Sequence, residues 1–212
     1  MKLPEILIYD FDGVICDSVN IKTEAFVEIY QPYGAEIQRK VEVYHLEHGG
    51  ISRFEKFQYF ESQFLGKKAT EKKINELANR FSALVKEKVI AANYIPGALE
   101  FISKNKHKKQ FICTGTPQTE IEEIVKKKKI QSLFESVYGS PTSKSLILQT
   151  ILDKCKVNTQ DCIFFGDAMT DYNAAKKCAM PFIGIKNDET QFPEKTILID
   201  DFTKLNNHYE ID

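Results

Sequence analysis

Short apolar runs bounded by turn residues recur along the chain and alternate with stretches of helical spacing. Short runs of this kind are typical of strands that are buried on both faces of a parallel sheet. They cover residues 6–9, 110–113, 134–138, 162–165, 182–185 and 196–199. Because strands that alternate with helices are joined by right-handed crossovers, the pattern predicts an α/β fold with a doubly wound parallel sheet.

One long segment departs from this alternation. Between residues 16 and 90 the apolar positions keep helical spacing, as at Ile74, Leu77 and Phe81, and glycines divide the segment into successive helices. The sequence therefore predicts a helical insertion directly after the first strand. We expect it to lie above the carboxyl edge of the sheet as a lid.

Composition limits the classes of protein that the chain can belong to. Its 212 residues are 42% hydrophobic, enough for one core or for a core with an inserted domain. A formal net charge of -1 gives no overall attraction to nucleic acid or to an acidic membrane. No apolar stretch approaches the roughly 20 residues that span a bilayer. We expect a monomer with neither a nucleic acid nor a membrane partner.

The N-terminal residues and the cysteines indicate the cellular compartment that we expect for the protein. Pro4 and Glu5 interrupt the N-terminal apolar run, which argues against a signal peptide. The five cysteines are odd in number and dispersed, which favours a reducing environment, and Cys16, Cys113 and Cys162 lie in or beside predicted strands. We therefore expect a cytoplasmic protein whose cysteines are structural.

Two carboxylates follow the first strand. Asp10 and Asp12 stand at the carboxyl end of the run, where open α/β sheets bind ligands, and Gly13 allows the turn that follows. Carboxylates placed close together repel unless a cation intervenes, and Mg²⁺ is a hard cation that takes oxygen ligands. A carboxylate at such a site can attack phosphorus while its neighbour moves a proton. The alternative is an ordinary acidic turn.

Polar residues also follow two further predicted strands and precede a helix. Thr114 stands at a helix N-terminus, which favours phosphate, and Lys144 can offset negative charge. Asp167 and Asp171 follow the strand of residues 162–165 and suit metal contacts. Taken singly, each has an ordinary alternative as a helix cap, a solvated lysine or an acidic loop.

The order of these motifs resembles that of the haloacid dehalogenase (HAD) superfamily. The order is DFDG, then TGT after an apolar strand, then a downstream lysine, then GDxxxD. The helical insertion resembles its subgroup with an α-helical cap, which includes phosphoglycolate phosphatase and β-phosphoglucomutase. The resemblance covers essentially the whole chain. It implies a Rossmann-like core domain of residues 1–15 and 91–212 that holds the catalytic site, and a cap domain of residues 16–90.

The resemblance implies the roles of the catalytic residues. Asp10 would be the nucleophile that forms an aspartyl-phosphate, and Asp12 the general acid and then the base for water. Thr114 and Gly115 would bind the phosphoryl oxygens, while Lys144 balances charge. The reaction implied is hydrolysis of a small phosphomonoester, such as a sugar phosphate or a related metabolite.

The resemblance also implies the ligands of a Mg²⁺ ion. Asp10, the main-chain carbonyl of Asp12, and Asp167 would hold the ion. Asp171 would support the metal site, directly or through water.

The cap offers candidates for substrate contacts. The loop Gly49-Gly50-Ile51-Ser52-Arg53 resembles the cap loop that enters the active site in this subgroup. Arg53 and Lys22 could bind an anionic group, or each could be an ordinary solvated residue. His45 and His48 are expected on the surface or in packing, and Lys56 is interpreted as a solvated helix residue.

Two rival functions remain open at this point. β-Phosphoglucomutases resemble this chain but have a histidine where Lys22 stands. This difference argues against a phosphosugar mutase without excluding it. A catalytically silent binding or regulatory protein is the rival of another class. The intact set of acids argues against it, because a silent copy has no reason to hold repelling carboxylates together.

Overall fold

The computed structural model describes residues 2–207. The strands in this part of the chain are β1 (Ile6–Tyr9), β2 (Lys109–Pro117), β3 (Ser136–Ser140), β4 (Cys162–Gly166), β5 (Phe182–Ile185) and β6 (Ile197–Ile199). They form one sheet in the order β3-β2-β1-β4-β5-β6, and every neighbouring pair is parallel. The predicted doubly wound parallel sheet is confirmed.

Helices cover the sheet and extend beyond its edge. They are α1 (Val19–Ile29), α2 (Ala35–Glu47), α3 (Arg53–Tyr59), α4 (Glu71–Ala91), α5 (Ala98–Lys104), α6 (Gln118–Lys127), α7 (Lys144–Cys155) and α8 (Met169–Lys177). Helices α1 to α4 follow one another after β1, as the helical insertion predicted. The predicted boundary at residues 90 and 91 falls in the last turn of α4, and the division into two domains stays a prediction.

Strands β2 and β3 differ from the predicted runs. β2 continues through Thr114, Gly115 and Thr116 to Pro117, and its register with β3 shifts after Cys113. The predicted strand end at residue 113 is wrong, because these residues continue the extended backbone of β2. Irregularities of this kind often re-aim side chains next to active sites. β3 lies two residues later than predicted.

The centre of the sheet is buried on both faces. Alternate residues of β1 point to opposite sides, so Ile6 and Ile8 pack in the cluster that includes residues of α7 and α8, whereas Leu7 and Tyr9 pack in the cluster that continues into α1 to α4. All four side chains are nearly inaccessible to solvent. The carboxyl end of β1 is therefore a fixed platform for the acids that follow it.

The helical insertion has an aromatic core of its own. Phe26, Phe57, Phe60 and Phe81 are all buried, and the ring centroids of Phe26 and Phe81 lie 4.2 Å apart. Phe57 and Phe60 meet edge to face, an arrangement that aromatic pairs favour. These rings fill the inside of the insertion.

The cysteines agree with the expectation that they are structural. All five cysteines are free, and Cys16, Cys113 and Cys162 are buried. They behave as small apolar residues, as predicted. Among residues 2–207, no helix combines the length and apolar character needed to cross a membrane.

Helix α7, which begins at Lys144, offers a matched test of how strongly packing holds this part of the fold. Leu148 is 0% exposed and Leu146 is 57% exposed on the same helix. We expect Leu148→Ala to lower the free energy of unfolding by about 2–5 kcal/mol, because it leaves a cavity. The control Leu146→Ala should change it by less than about 0.5 kcal/mol. Denaturant unfolding measures both, and similar losses in the two variants would contradict the packing described.

Candidate active site

The predicted acids and the polar residues of β2 meet at the carboxyl edge of the sheet. Asp10 follows β1, Thr114 and Gly115 lie in β2, and Asp167 follows β4. Since β1 lies between β2 and β4, these positions are adjacent. They line a cavity of about 530 Å³ that is also walled by residues of α1, α2 and α3. Its position is the usual one for ligands in open α/β sheets, and its size is typical of sites for small molecules.

A buried lysine ties two of the acids together. Lys144 Nζ lies 2.6 Å from Asp10 Oδ2 and 2.6 Å from Asp171 Oδ1. Burial opposes the charge of Lys144, but Asp10 and Asp171 outweigh it and raise the pKa of the ammonium group. Lys144 is therefore a permanent cation beside Asp10. The other carboxylate oxygen of Asp171, Oδ2, accepts a hydrogen bond from the N–H of Ala168 at 3.2 Å.

A third acid joins this pair. One carboxylate oxygen from each of Asp10, Asp167 and Asp171 lies within 4.8 Å of the other two. Burial, followed by the charges of Asp10 and Asp171, raises the pKa of Asp167 well above its ordinary value. In the described part of the chain this carboxyl forms no ion pair with a lysine or arginine, and a hard divalent ion would supply the missing positive charge. The donor set therefore fits Mg²⁺.

The backbone approaches these acids closely at Gly13. Its φ is +74°, and a Cβ there would lie 2.1 Å from Asp167 Oδ2. A side chain would both strain the turn and displace the carboxylate. Only glycine lets the loop after β1 pass this close to the acid that follows β4.

Asp12 faces a different set of partners from Asp10. Its carboxylate pairs with Lys22 of α1 and accepts hydrogen bonds from Ser18 Oγ at 2.6 Å and Thr116 Oγ1 at 3.1 Å. Burial alone would raise the pKa of Asp12, but Lys22, with these hydroxyls, outweighs it and lowers the pKa. The Asp12 side chain is thus held as a carboxylate, apart from the three-acid group.

Thr116 and Ser18 were missed by the sequence analysis as site residues. Thr116 also accepts a hydrogen bond from Lys22 Nζ at 2.8 Å. Its position two residues after Thr114 in an extended strand would have indicated that both face the same side. Ser18 stands at the N-cap of α1, but its side chain makes no capping bond and donates to Asp12 instead.

The predicted cap loop reaches the floor of the site. Thr170 Oγ1 donates to the carbonyl oxygen of Gly49 at 2.8 Å, and a Cβ on Gly115 would lie 2.6 Å from the carbonyl oxygen of Gly50. A Cβ on Gly50 itself would lie 2.9 Å from Lys144 Nζ. Because Gly50 and Gly115 have no side chains, the loop of the insertion can lie directly against the carboxyl edge of the sheet.

Arg53 lies beside this loop, but a carboxylate already engages its charge. Arg53 Nη1 donates to Glu120 Oε2 at 2.9 Å and to Ser82 Oγ at 2.6 Å, while Nη2 donates to Glu120 Oε1. The guanidinium also lies over the Phe81 ring, 4.5 Å from its centroid. Burial would raise the pKa of Glu120, but Arg53 outweighs it and lowers the pKa. The pair joins α3 of the insertion to α6.

Glu120 gave no signal in the sequence that it belongs to the site. An acid in the first turn of a helix is explained by the helix dipole alone, and α6 begins only two residues earlier. Its partner lies 67 residues away in the chain, so no local pattern connects the two. A substrate contact by Arg53 or Lys22 stays a prediction.

The interpretation of Lys56 as a solvated residue is wrong. Its side chain is 1% exposed, and Nζ lies 2.6 Å from His45 Nδ1. Burial, followed by the charge of Lys22, lowers the pKa of Lys56 to about 7. His45 is buried as well, in agreement with the expectation of a packing histidine, while His48 stacks on Tyr44 at 3.9 Å.

The Arg53–Glu120 pair generates a stability prediction. Glu120→Gln removes the negative charge and leaves Arg53 buried without its counter-ion, which costs about 3–5 kcal/mol when a buried pair is broken. The control Glu36→Gln breaks the exposed pair between Glu36 and Lys40, which is worth less than about 1 kcal/mol. Denaturant unfolding compares the variants. An equal loss in both would show that Arg53 does not depend on Glu120.

Comparisons with known proteins agree with this fold. The family model for haloacid dehalogenase-like hydrolases matches residues 7–185. A phosphorylated carbohydrates phosphatase from Thermotoga maritima is 27% identical over 190 residues, which cover 83% of this chain and 82% of the relative.

Solved structures show the same architecture at lower identity. β-Phosphoglucomutase from Clostridium difficile superimposes with a TM-score of 0.77 at 21% identity, over 96% of this chain and 93% of the other. CbbY from Rhodobacter sphaeroides, solved in complex with phosphate, gives a TM-score of 0.75 at 15% identity, over 96% of both chains. The family match spans most of the chain and includes the motifs of Asp10 and Asp167. The family predicted from the sequence is confirmed: the chain belongs to the haloacid dehalogenase-like hydrolases.

Proposed function

We propose that the chain is a Mg²⁺-dependent phosphatase that hydrolyses a small phosphomonoester through a phosphorylated Asp10. The observation that carries the proposal is the buried carboxylate of Asp10, held 2.6 Å from Lys144 Nζ at the end of β1. Its position beside Asp167 and Thr114 gives a nucleophile, a cation and a candidate metal site in one cavity. Phosphoryl transfer depends mainly on such positioning and charge neutralisation.

The metal would bind on the side of Asp10 that faces Asp167. Asp10, the main-chain carbonyl of Asp12, and Asp167 would hold it. Asp171 would support the site through its bond to Lys144, since both of its carboxylate oxygens already have partners. When bound, Mg²⁺ neutralises charge on the phosphoryl group and relieves the repulsion among the acids.

The residues of the chain divide the chemistry between two steps. In the first, an Asp10 oxygen bonds to phosphorus, the ester bond breaks, and the leaving alcohol takes a proton from Asp12. In the second, Asp12 accepts a proton from the water that attacks the aspartyl-phosphate, which returns Asp10 and releases phosphate. Thr114 and Gly115 would bind the phosphoryl oxygens throughout, with Lys144 balancing their charge.

The partners of Asp12 in the structure suit the second step. Lys22 favours the carboxylate form, which is the form that takes a proton from water. The first step needs the protonated form, so Lys22 has to leave Asp12 before it. Thr116 already bonds to both side chains, and it keeps Asp12 in place when Lys22 moves.

The substrate class is a phosphorylated sugar or a related metabolite. The Thermotoga maritima relative is named for phosphorylated carbohydrates, and the identity of 27% extends over most of both chains. The cavity has the polar lining that hydroxylated substrates need, including Asn20, Asn187 and Thr190.

The oligomeric state stays a prediction, and we expect a monomer.

The nucleophile is tested by a single substitution. Asp10→Asn should lower kcat for phosphate release by at least about 10³-fold, because the amide cannot attack phosphorus. The matched control Asp153→Asn, at an exposed position of α7 outside the cavity lining, should stay near the wild type. The measurement is phosphate release from a panel of sugar phosphates with Mg²⁺ and with chelator.

The same panel separates the rival functions. Full Mg²⁺-dependent activity in Asp10→Asn would overturn the nucleophile assignment. Interconversion of hexose phosphates without release of phosphate would identify a mutase instead. Inactivity of the wild type on every substrate would count against the phosphatase.

The proposed metal site predicts that Asp167→Asn stabilises the protein when Mg²⁺ is absent and removes the stabilisation that added Mg²⁺ gives. In chelator, Asp167→Asn should raise the melting temperature, because it removes a carboxylate that repels Asp10 and Asp171. A gain of 1 kcal/mol corresponds to about 2–4 °C in a chain of this size. Added Mg²⁺ should then stabilise the wild type and the control Asp153→Asn but not Asp167→Asn, since ligand binding stabilises only a protein that holds the ion. A full Mg²⁺ shift in Asp167→Asn would place the ion elsewhere.

A further inference from the structure

The loop of residues 49–53, which joins α2 to the first residue of α3, lies against the residues that surround Asp10. Four of its residues line the cavity that also contains Asp10: Gly49, Gly50, Ile51 and Arg53. A Cβ on Gly50 would lie 2.9 Å from Lys144 Nζ, and Lys144 is bonded to Asp10. A shift of this loop would therefore open the cavity above Asp10.

The loop is attached at both of its ends. At the first end, the carbonyl oxygen of Gly49 accepts a hydrogen bond from Thr170 Oγ1 at 2.8 Å. At the last residue, the Arg53 guanidinium donates to both carboxylate oxygens of Glu120, with Nη1 at 2.9 Å from Oε2. Thr170 belongs to α8 and Glu120 to α6, so both supports come from outside the helical insertion.

The support at Arg53 joins three helices and is buried. Ser82 Oγ of α4 donates to Glu120 Oε2 at 2.6 Å and accepts a hydrogen bond from Arg53 Nη1 at 2.6 Å. The side chains of Arg53 and Glu120 are 4% and 7% exposed. A bidentate pair of this kind fixes geometry as well as charge, and each buried group depends on the other as its counter-ion. The pair therefore fixes the end of the loop.

Other ion pairs between α4 and α6 lie closer to the surface. Lys86 Nζ lies 2.9 Å from Glu123 Oε2, and Lys127 Nζ lies 2.8 Å from Glu87 Oε1, with side chains that are 33–72% exposed. Exposed pairs contribute little, and these two join α4 to α6 without a bond to the loop. Glu120 is thus the acid of α6 whose described contacts reach the loop itself.

We propose that Glu120 is a positioning residue that holds Arg53, and through it the loop of residues 49–53, where the loop closes the cavity over Asp10. Glu120 acts through Arg53, since within residues 2–207 it is not among the residues that line the cavity. Arg53 then serves the loop and not the substrate, because an anion that took Arg53 would leave the buried Glu120 without its counter-ion. The inference rests on the proposed function, whose substrate binds in this cavity.

A role in positioning and a role in stability change different kinetic constants. If the loop is closed in only a fraction of the molecules, the apparent affinity for the substrate falls in proportion to that fraction. Bound substrate restores the closed position, so KM rises while kcat stays near the wild type. A residue that acts on stability alone lowers the folded fraction, and then kcat per mole of protein falls while KM is unchanged.

Glu120→Gln tests the positioning role. With Mg²⁺ and the sugar phosphate that the wild type hydrolyses with the highest kcat/KM, this variant should raise KM by about 10- to 100-fold. The inhibition constant of inorganic phosphate, the product that leaves the same cavity, should rise in the same direction. The control Glu123→Gln removes an acid of the same helix that also pairs with α4, and it should change KM by less than about twofold. Circular dichroism sets the temperature at which both variants are folded.

Ser82→Ala is the second variant if Glu120→Gln does not fold. It removes the hydroxyl that bridges Arg53 and Glu120 and leaves both charges in place. The loss of one hydrogen bond should raise KM by about two- to tenfold with kcat kept. An unchanged KM in this variant would count against the proposal in the same way as an unchanged KM in Glu120→Gln.

A double-mutant cycle tests whether Arg53 acts through Glu120. If it does, KM in the double variant Arg53→Met/Glu120→Gln should be no higher than in the more impaired single variant, because both substitutions remove the same support. If Arg53 instead contacts the substrate by itself, the two increases in KM should multiply.

The outcomes separate this inference from the proposed function. A higher KM in Glu120→Gln, absent in Glu123→Gln and not multiplied in the double variant, supports the proposal. An unchanged KM in Glu120→Gln overturns it, whatever happens to kcat, and so do increases that multiply in the double variant. Either of these results leaves the phosphatase intact. If the wild type releases phosphate from no substrate of the panel, the proposed function fails and this inference fails with it.

Discussion

The repulsion among three buried acids is the constraint on which the rest of the site depends. Asp10, Asp167 and Asp171 place oxygens within 4.8 Å of one another, in surroundings that penalise charge. Lys144 compensates two of them directly, through bonds of 2.6 Å to Asp10 and Asp171. The carboxyl of Asp167 has no such bond to Lys144 among the described contacts, and its donors fit a cation. Three acids held this close lower the stability of the fold locally unless a cation offsets their repulsion.

The helical insertion contributes cations rather than acids to this edge. Lys22, Arg53 and Lys56 come from its helices, and each has a different partner within the closed arrangement. Lys22 keeps Asp12 ionised, and Arg53 joins the insertion to α6 through Glu120. Within residues 2–207, Lys56 contacts His45 and the Phe26 ring rather than an acid. The three cations of the insertion thus have three different kinds of partner: an acid that follows β1, an acid of α6, and an imidazole.

A feature of the fold or the site could be predicted from the sequence when the residues that cause it are neighbours in the chain. β1 and the acids after it form a continuous stretch, so a short apolar run and two following carboxylates were enough to locate them. Lys144 could be assigned only through its resemblance to a motif, since a lysine in the first turn of a helix is usually solvated. The burial of Lys56 and the pairing of Glu120 could not be predicted, because both depend on helices that meet only after folding. The strand end at residue 113 was misjudged because Thr114, Gly115 and Thr116 were taken as a turn after the strand, whereas they keep the backbone of β2 as far as Pro117.

The division of labour between sheet and insertion explains why the reaction is easier to infer than the substrate. The acids stand on strands whose side chains are locked by the core, so their geometry follows from the fold that the family shares. The charge that the insertion presents depends on which of its cations are paired with an acid, and this depends on the rest of the chain. With Glu120 in place, the charge of Arg53 is balanced by an acid of α6 that lies 67 residues away. The charge balance at this junction is therefore built from residues other than the acids at the ends of β1 and β4, and a local motif of the sheet edge says nothing about it.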